Sequence, residues 1–580
     1  MSDDSALLAR ARAWAEADPD PETRAEVEAL IAAADVVALT DRFAGPLEFG
    51  TAGLRGVLGG GETRMNRAVV RRTTAGLAAY LLRTSPDARL RGVVVGHDAR
   101  RLSRELAEDT AAVLAAAGIV AHLFDGLVHT PMTAFAVKRL GAAAGVMVTA
   151  SHNPPGYNGY KVYGSDGAQI VSPHDVGIAA QIARAPAARE VPIAEMGPAR
   201  RSGLIRAVAG EMREAYLDAI HGLSLDPRGR ERVRIVYTPL HGTGDEIAHA
   251  ALARFGFHDV TSVPEQREPD GRFPTVAFPN PEEKGALDLA FALARGKNAT
   301  LIIANDPDAD RLAVAIPDGR GGFRQLSGNE VGVLLGEYVL RKDRRGEGAR
   351  LVLTTIVSSP MLCHVAEGLG VRYGETLTGF KWIASTALRR EREEGARFVF
   401  GYEEALGYTI GDVVRDKDGV SAAALFAELT AVAAEEGRTI ADELERLART
   451  YGLFVSTQRS ITRKGATGPG EIAGIMASLR TRAPATVGDR AVVAVRDLEA
   501  GTETRGGVVS PAGLPPSNVL VLELEGGARV IARPSGTEPK IKFYVDVREE
   551  VRAGEPFADA SARAEGTLAR LTDAFLALAG

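Results

Sequence analysis

A hydroxyl nucleophile, an imidazole and an amide stand side by side at Ser151-His152-Asn153, within GVMVTASHNPPGYNGYK of residues 145–161. Two prolines and two glycines follow, so the segment continues neither a helix nor a strand. Proline removes a backbone donor and fixes φ, while glycine opens left-handed turns. Downstream, Asn305-Asp306-Pro307-Asp308-Ala309-Asp310-Arg311 sets three carboxylates at alternate positions. They converge on one point if the loop curls. That suits a hard divalent cation such as Mg²⁺, with a position left for a phosphate oxygen. An EF-hand reading fails on counting, because from Asp306 the required glycine falls on Arg311 and the bidentate glutamate on Pro317. A phosphatase loop with Asp306 as nucleophile is the better rival.

Three further clusters carry polar chemistry. Glu403 and Glu404 lie in GYEEALG at 401–407. Adjacent glutamates point in different directions, so one faces a ligand, and a carboxylate accepts well from vicinal sugar hydroxyls; the pair also suits a helix N-terminus. Lys417 in RDKDG offers an ammonium for catalysis or phosphate binding, or is an exposed turn lysine. Arg533, Ser535, Gly536 and Thr537 in RPSGTEPK, with Lys540 and Lys542 after them, form a compact anion cradle. A glycine-rich loop at 49–56, FGTAGLRG, can wrap a phosphate with backbone N–H groups and Arg55, and is equally a plain turn.

The elements that must position these groups are short apolar runs. Residues 146–148, 301–304 and 398–400 read as buried strands, each ending at one of the polar loops, and in open α/β sheets ligands bind at that end. A strand at 92–95 leads into a helix over 103–117 with Gly118 as C-cap. Alternating strands and helices predict three similar α/β domains with mixed sheets at 41–205, 206–325 and 326–455. Residues 182–205, rich in Ala, Pro and Arg, read as a linker. From 456 to 580 strand-like runs dominate and an Ala/Leu-rich helix closes the chain, which predicts an α+β domain. Residues 1–40 read as two amphipathic helices, the second with a Val27, Leu30, Ile31 stripe, bracketing the main body.

The 580 residues carry 45% apolar and 25% charged side chains and a net charge of −6, values of a globular protein without the basic face that nucleic acid demands. One cysteine, Cys363, excludes an intrachain disulfide and reads as a buried structural thiol. No signal-peptide core and no run of about 18 apolar residues is present, so a cytoplasmic protein without membrane contact is expected.

The motifs TASHNP, DPDADR, GYEEALG and RPSGTEPK, in this order and spacing, resemble the α-D-phosphohexomutases from about residue 49 onward. With TGFKW at 378–382, including Gly379 and Lys381, they look like the phosphoglucomutase/phosphopentomutase branch. The resemblance implies four domains around one cleft, the last with a TATA-binding-protein-like fold. It implies a phosphorylated Ser151 whose phosphate binds Mg²⁺ with Asp306, Asp308 and Asp310. Arg55, His152, Lys161 and Arg311 match positions that stabilise the transferring phosphoryl group, and Lys417 matches a lysine of proton transfer. Glu403, with Glu404, matches the sugar-binding loop. Arg533, Ser535, Gly536 and Thr537, assisted by Lys381 and Lys542, match the holders of the non-reacting phosphate. The implied activity is phosphoglucomutase: glucose 1-phosphate to glucose 6-phosphate through a bound glucose 1,6-bisphosphate, the implied activator. Phosphopentomutase and phosphomannomutase are the alternatives. Ala405 replaces the serine of the common GEESFG motif and removes one hydroxyl from that loop. Small-molecule sugar phosphates are the expected partners, and a monomer or weak homodimer the expected state.

Overall fold

A computed structural model describes residues 3–48, 53–208, 210–343, 345–346, 348–463, 467–535 and 540–578. The first domain holds a six-stranded sheet in the order Leu54–Val57, Tyr157–Gly164, Ala144–Val148, Val93–His97, Ala121–Leu123, Ile205–Ala207. Its four last-named strands run parallel, and the first two pair antiparallel. Val93–His97 and Ala144–Val148 are buried at every position. That is why these strands read as unbroken apolar runs rather than alternating ones: helices cover both faces. The second domain orders Phe323–Gln325, Ala313–Pro317, Leu301–Ala304, Ile235–Thr238 and Val260–Ser262, and the third Arg372–Thr376, Ala349–Thr355, Ala396–Glu403 and Gly407–Ile410.

One device repeats in all three sheets. The strand that ends at a polar loop returns at once as an antiparallel neighbour: Ala144–Val148 with Tyr157–Gly164, Leu301–Ala304 with Ala313–Pro317, and Ala396–Glu403 with Gly407–Ile410. The loops are therefore strand-to-strand connections, not the strand-to-helix turns that the alternating pattern predicts. Each is anchored at both ends in the same ladder, which fixes its polar side chains more tightly than a helix N-terminus alone.

The fourth domain is an antiparallel sheet built on Leu453–Thr462, Lys540–Glu549, Arg529–Pro534, Leu520–Leu524 and Arg490–Asp497, backed by helices Gly468–Thr481 and Phe557–Leu578. Three mixed α/β sheets and this α+β unit are the fold class that the sequence predicts.

One apolar core runs through the first three domains, from Met132 and Phe135 through Ile303 and Leu334 to Phe400 and Phe426. Each such side chain contributes about 1.5–3 kcal/mol on burial, so shared packing binds the three domains to one another. The fourth domain has a separate core of Leu522, Val530, Phe543 and Phe575. It meets the third through a smaller cluster that includes Val357, Leu377, Ile531 and Tyr544. Glu375 spans this seam, pairing with Arg496 at 2.9 Å and Arg529 at 3.2 Å.

Three sequence expectations fail here. Residues 182–205 are not a linker: Ala188, Val191 and Ala199 are buried, Met196–Arg201 is a helix, and Ile205–Ala207 joins the first sheet beside Ala121–Leu123. A few apolar contacts outweigh a composition of Ala, Pro and Arg. The N-terminal bracket has three helices rather than two, Asp3–Ala17, Pro21–Ala32 and Val36–Arg42. Asp35 caps the third by accepting from Ala38 N at 3.0 Å. Glu26 accepts from Gly60 N at 2.7 Å and pairs with Arg42, so the bracket grips the turn beyond the strand that bears Arg55. Cys363 is half-buried rather than buried, on Met361–Gly368. Among the described residues no helix is long and apolar enough to cross a membrane.

Candidate active site

Ser151 sits just beyond Ala144–Val148 with φ of +51°, a left-handed conformation costly for any residue but glycine. The surroundings enforce it. Arg100, buried beneath the loop, donates from Nη2 to Ser151 O and Asn153 O, both at 2.5 Å, and from Nη1 to Pro154 O at 3.0 Å and Tyr157 O at 3.2 Å. Only the rigid fork of a guanidinium can bind four carbonyls at once. Asp98 sits 3.5 Å from Arg100 Nε and accepts from Thr149 Oγ1 and Ser103 Oγ, each at 2.6 Å. Phe273, from the second domain, covers the guanidinium at 4.9 Å. Arg100 stands outside the motifs that the sequence brings forward. Its signal, an Asp-x-Arg directly after a buried strand, has meaning only once the fold brings residues 151–157 over it.

The Ser151 hydroxyl donates to Asp306 Oδ2 at 2.6 Å and lies 3.2 Å from His152 Nδ1. Burial, with Arg311 and Arg55 nearby, holds His152 well below the ordinary imidazole range. Its ring nitrogen faces the Ser151 hydroxyl, where it can hydrogen-bond to the reacting oxygen.

Asp306, Asp308 and Asp310 are fully buried and converge as the alternate spacing predicts: one oxygen from each lies within 4.8 Å of the others. Ala309, at φ +53°, makes the curl between the last two. Asp306 Oδ1 accepts from Arg311 N at 3.0 Å. Asp308 Oδ2 accepts from Thr130 Oγ1 at 2.6 Å and Lys161 Nζ at 2.8 Å. Asp310 Oδ2 takes Lys161 Nζ at 2.8 Å and Lys417 Nζ at 3.1 Å. Burial and mutual repulsion push Asp306 well above the carboxylate range. Burial pushes Asp308 and Asp310 the same way, but Lys161, joined at Asp310 by Lys417 and Arg311, outweighs it and holds both below that range. Lys161 thus neutralises the triad rather than projecting alone into the cleft.

Asp308 Oδ1 and Asp310 Oδ1 are buried without a hydrogen-bond partner. Orphaned acceptors at the converging point of three carboxylates fit a divalent cation. Lys161, Lys417 and Arg311 already pair with the triad, and a divalent cation and a phosphate dianion cancel each other, so the two can enter together without changing the net charge.

The remaining side chains line the walls. Arg55 lies opposite Gly159 in the ladder and donates to Asn153 Oδ1 at 3.1 Å. Arg311 bridges the second and third domains, pairing in an isolated β-bridge with Gly407. A side chain on Gly407 would meet Lys417 Cδ at 2.3 Å, so only glycine admits the lysine there. Lys417 is carried by a loop whose Asp416 accepts from Tyr163 OH at 3.0 Å and Gln169 Nε2 at 2.7 Å of the first domain. Burial acts to deprotonate Lys417, but Asp310 and Asp416 outweigh it, so it stays an ammonium.

Of the glutamate pair, Glu404 is occupied. Its Oε2 accepts from Thr355 Oγ1 at 3.2 Å and Ser358 Oγ at 3.4 Å, and burial beside Glu403 raises it to about 7. Glu403 lies where Arg311, Lys417 and Glu282 all feel its charge. Gly379, at φ +111°, leads into Phe380–Glu394, where burial lowers Lys381 against the pull of Asp175 of the first domain. Arg533 and Lys542 are register partners on adjacent strands, and Ser535 N donates to Lys540 O at 2.7 Å, closing the loop base. Gly536 and Thr537 lie outside the described residues, as do residues 49–52 of the glycine-rich loop.

Fold and site together define a multidomain α/β protein that sets a constrained serine against a carboxylate triad, with cations and acceptors supplied by separate domains. Models of the phosphoglucomutase/phosphomannomutase domains match in series: α/β/α domain I over residues 46–189, domain II over 214–320, domain III over 327–451 and the C-terminal domain over 479–563. A probable phosphoribomutase of Schizosaccharomyces pombe is 40% identical over 555 residues, covering 92% of each chain. A phosphoglucomutase of Staphylococcus epidermidis is 38% identical over 503 residues, 86% of this chain and 90% of that one. A crystal structure of a putative phosphomannomutase from Thermus thermophilus superposes with a TM-score of 0.66 at 25% identity, covering 87% of this chain and 96% of that one. The chain belongs to the phosphoglucomutase/phosphomannomutase family, the α-D-phosphohexomutases, and is an enzyme of the isomerase class.

Proposed function

We propose that the enzyme interconverts α-D-glucose 1-phosphate and glucose 6-phosphate by way of a phosphoserine at Ser151 and a bound 1,6-bisphosphate. The observation that carries this reading is Ser151 itself, strained into a left-handed conformation with its hydroxyl 2.6 Å from one aspartate of a buried triad. The phosphoryl group on Ser151 Oγ passes to the free hydroxyl of the sugar monophosphate. The P–Oγ bond breaks as the new P–O bond forms, and the bisphosphate, turned end for end, returns its other phosphoryl group to Ser151. Mg²⁺ held by Asp306, Asp308 and Asp310 would neutralise charge on the transferring oxygens. Arg55 and Arg311 flank that group, Lys417 gives a proton to the departing Ser151 Oγ and takes up the one lost by the attacking hydroxyl, so that the proton passes from sugar to serine, and Glu403 holds sugar hydroxyls. Arg533 and Lys542 hold the far phosphate. An aspartyl-phosphate route through Asp306 is disfavoured because the Ser151 hydroxyl covers its Oδ2.

Ala405 and the 40% identity to a phosphoribomutase favour a second reading, the same chemistry on pentose phosphates. A coupled assay of glucose, mannose and ribose 1-phosphates, with and without glucose 1,6-bisphosphate, decides between them. The highest kcat/KM names the sugar, and release of inorganic phosphate in place of the isomer refutes a mutase. Arg100→Lys tests the loop: an ammonium cannot hold four carbonyls, so kcat is expected to fall about 10–100-fold with KM little changed, as expected for a catalytic group misplaced by a fraction of an ångström.

A further inference from the structure

The cleft has a wall that none of the four motifs supplies. It is the loop around residues 278–284 of the second domain, FPNPEEK. Phe278 stacks edge-on against His152 with ring centres 6.0 Å apart, beside the serine. Asn280 is buried and caps the turn, its carbonyl accepting from Glu283 N at 2.9 Å, and Pro281 O accepts from Gln325 Nε2 at 2.9 Å. The loop is thus rigidly tied on both sides, and the residue at its tip is Glu282.

We propose that Glu282 is a substrate-binding residue that accepts hydrogen bonds from hydroxyls of the sugar ring and sets which sugar phosphate is used. The proposal deepens the mutase reading and rests on it. The Glu282 side chain is 40% exposed, and Oε2 lies 3.6 Å from Arg311 Nη1, which ties it to the reacting end. It opens onto a cavity of about 440 Å³ among the second, third and fourth domains, shared with Gln325, Asn329, Glu404 and Tyr544. That volume lies within the range of small-molecule sites. Burial raises the Glu282 carboxylate, and Arg311 and Lys542 act on it electrostatically, as does Glu403 with the opposite sign. An ionised carboxylate only accepts, which matches hydroxyl donors. Ala405 offers no side-chain hydroxyl, whereas Glu282 brings a carboxylate acceptor to the cavity that also reaches Glu404 and Leu406.

The test is a cycle between residue and hydroxyl. Affinities of glucose 6-phosphate and its 2-, 3- and 4-deoxy analogues are measured by calorimetry on proteins that also carry Ser151→Ala, so turnover is not needed. With Glu282 present, at least one deoxy analogue should bind about tenfold or more weakly than the parent, because a polar site loses its partner. In Glu282→Ala that penalty should vanish, and in Glu282→Gln, whose amide still accepts, it should shrink. Steady-state kcat/KM values for glucose, mannose and ribose 1-phosphates should change in ratio, chiefly through KM. Penalties equal in all three proteins, or a uniform loss of kcat across sugars, would place Glu282 behind Arg311 as a structural support and overturn the proposal. Failure of the mutase reading appears separately, as absence of interconversion by the protein with Ser151 and Glu282 both intact.

Discussion

Ser151→Ala is expected to lower mutase turnover by at least about a thousandfold, as removal of a covalent nucleophile does in enzymes whose catalytic groups act as a unit. The fold should survive. The hydroxyl lost makes one strong hydrogen bond, to Asp306, and a longer one to His152, while Arg311 N still serves Asp306. The net cost is about 1 kcal/mol. Alanine also accepts the backbone: the φ of +51° is imposed by Arg100 and the Thr149 hydroxyl on the main chain, not by the serine side chain. Circular dichroism and the urea midpoint check stability, and intact mass gives the chemical answer. Protein with Ser151 incubated with glucose 1,6-bisphosphate should gain one phosphoryl group, and the alanine variant none. Turnover within tenfold of the unaltered protein would refute a phosphoserine route and move attention to Asp306.

How the serine loop is held was not legible in the sequence, although the loop itself was. TASHNP, DPDADR and GYEEALG concentrate their chemistry in a few adjacent residues after an apolar run, and period and composition expose such runs directly. The triad's convergence also follows from spacing, since a curl at Ala309 is a local event. Arg100 and Glu282 are different. Arg100 matters because residues 151–157 fold over it, 51 or more positions away, and Glu282 because the third and fourth domains close around its loop. Nothing local distinguishes either from a surface arginine or a turn glutamate. The environment of His152 was hidden for the same reason: residue type gives an imidazole, but only the fold buries it beside Arg311 and Arg55, which lowers its pKa. The segment 182–205 shows the converse error. Ala, Pro and Arg dominate it, but Ala188, Val191 and Ala199 dock and Ile205–Ala207 completes a sheet, because tertiary burial outweighs local propensity.

Removing divalent cations should have an effect of similar size, and it can be read without turnover. The triad stands in a region closed to water, with Asp308 Oδ1 and Asp310 Oδ1 unpartnered. A cation that binds only the folded protein stabilises it by about 2.7 kcal/mol at a hundred times its dissociation constant. Addition of Mg²⁺ to chelator-treated protein should therefore raise the thermal midpoint, and Mn²⁺ should give a bound-ion paramagnetic signal. Activity should fall to background in the chelator and return with Mg²⁺. Asp310→Asn separates this role from the structural one. Asp310 holds Lys161 at 2.8 Å and Lys417 at 3.1 Å, and its loss leaves two buried ammoniums sharing fewer counter-charges. Breaking a buried pair costs about 3–5 kcal/mol, so this variant should be less stable with or without metal and should lose the Mg²⁺-dependent rise. A chelated protein that retains full turnover, or whose thermal midpoint does not respond to added Mg²⁺, would show that the triad serves the lysines alone and holds no ion.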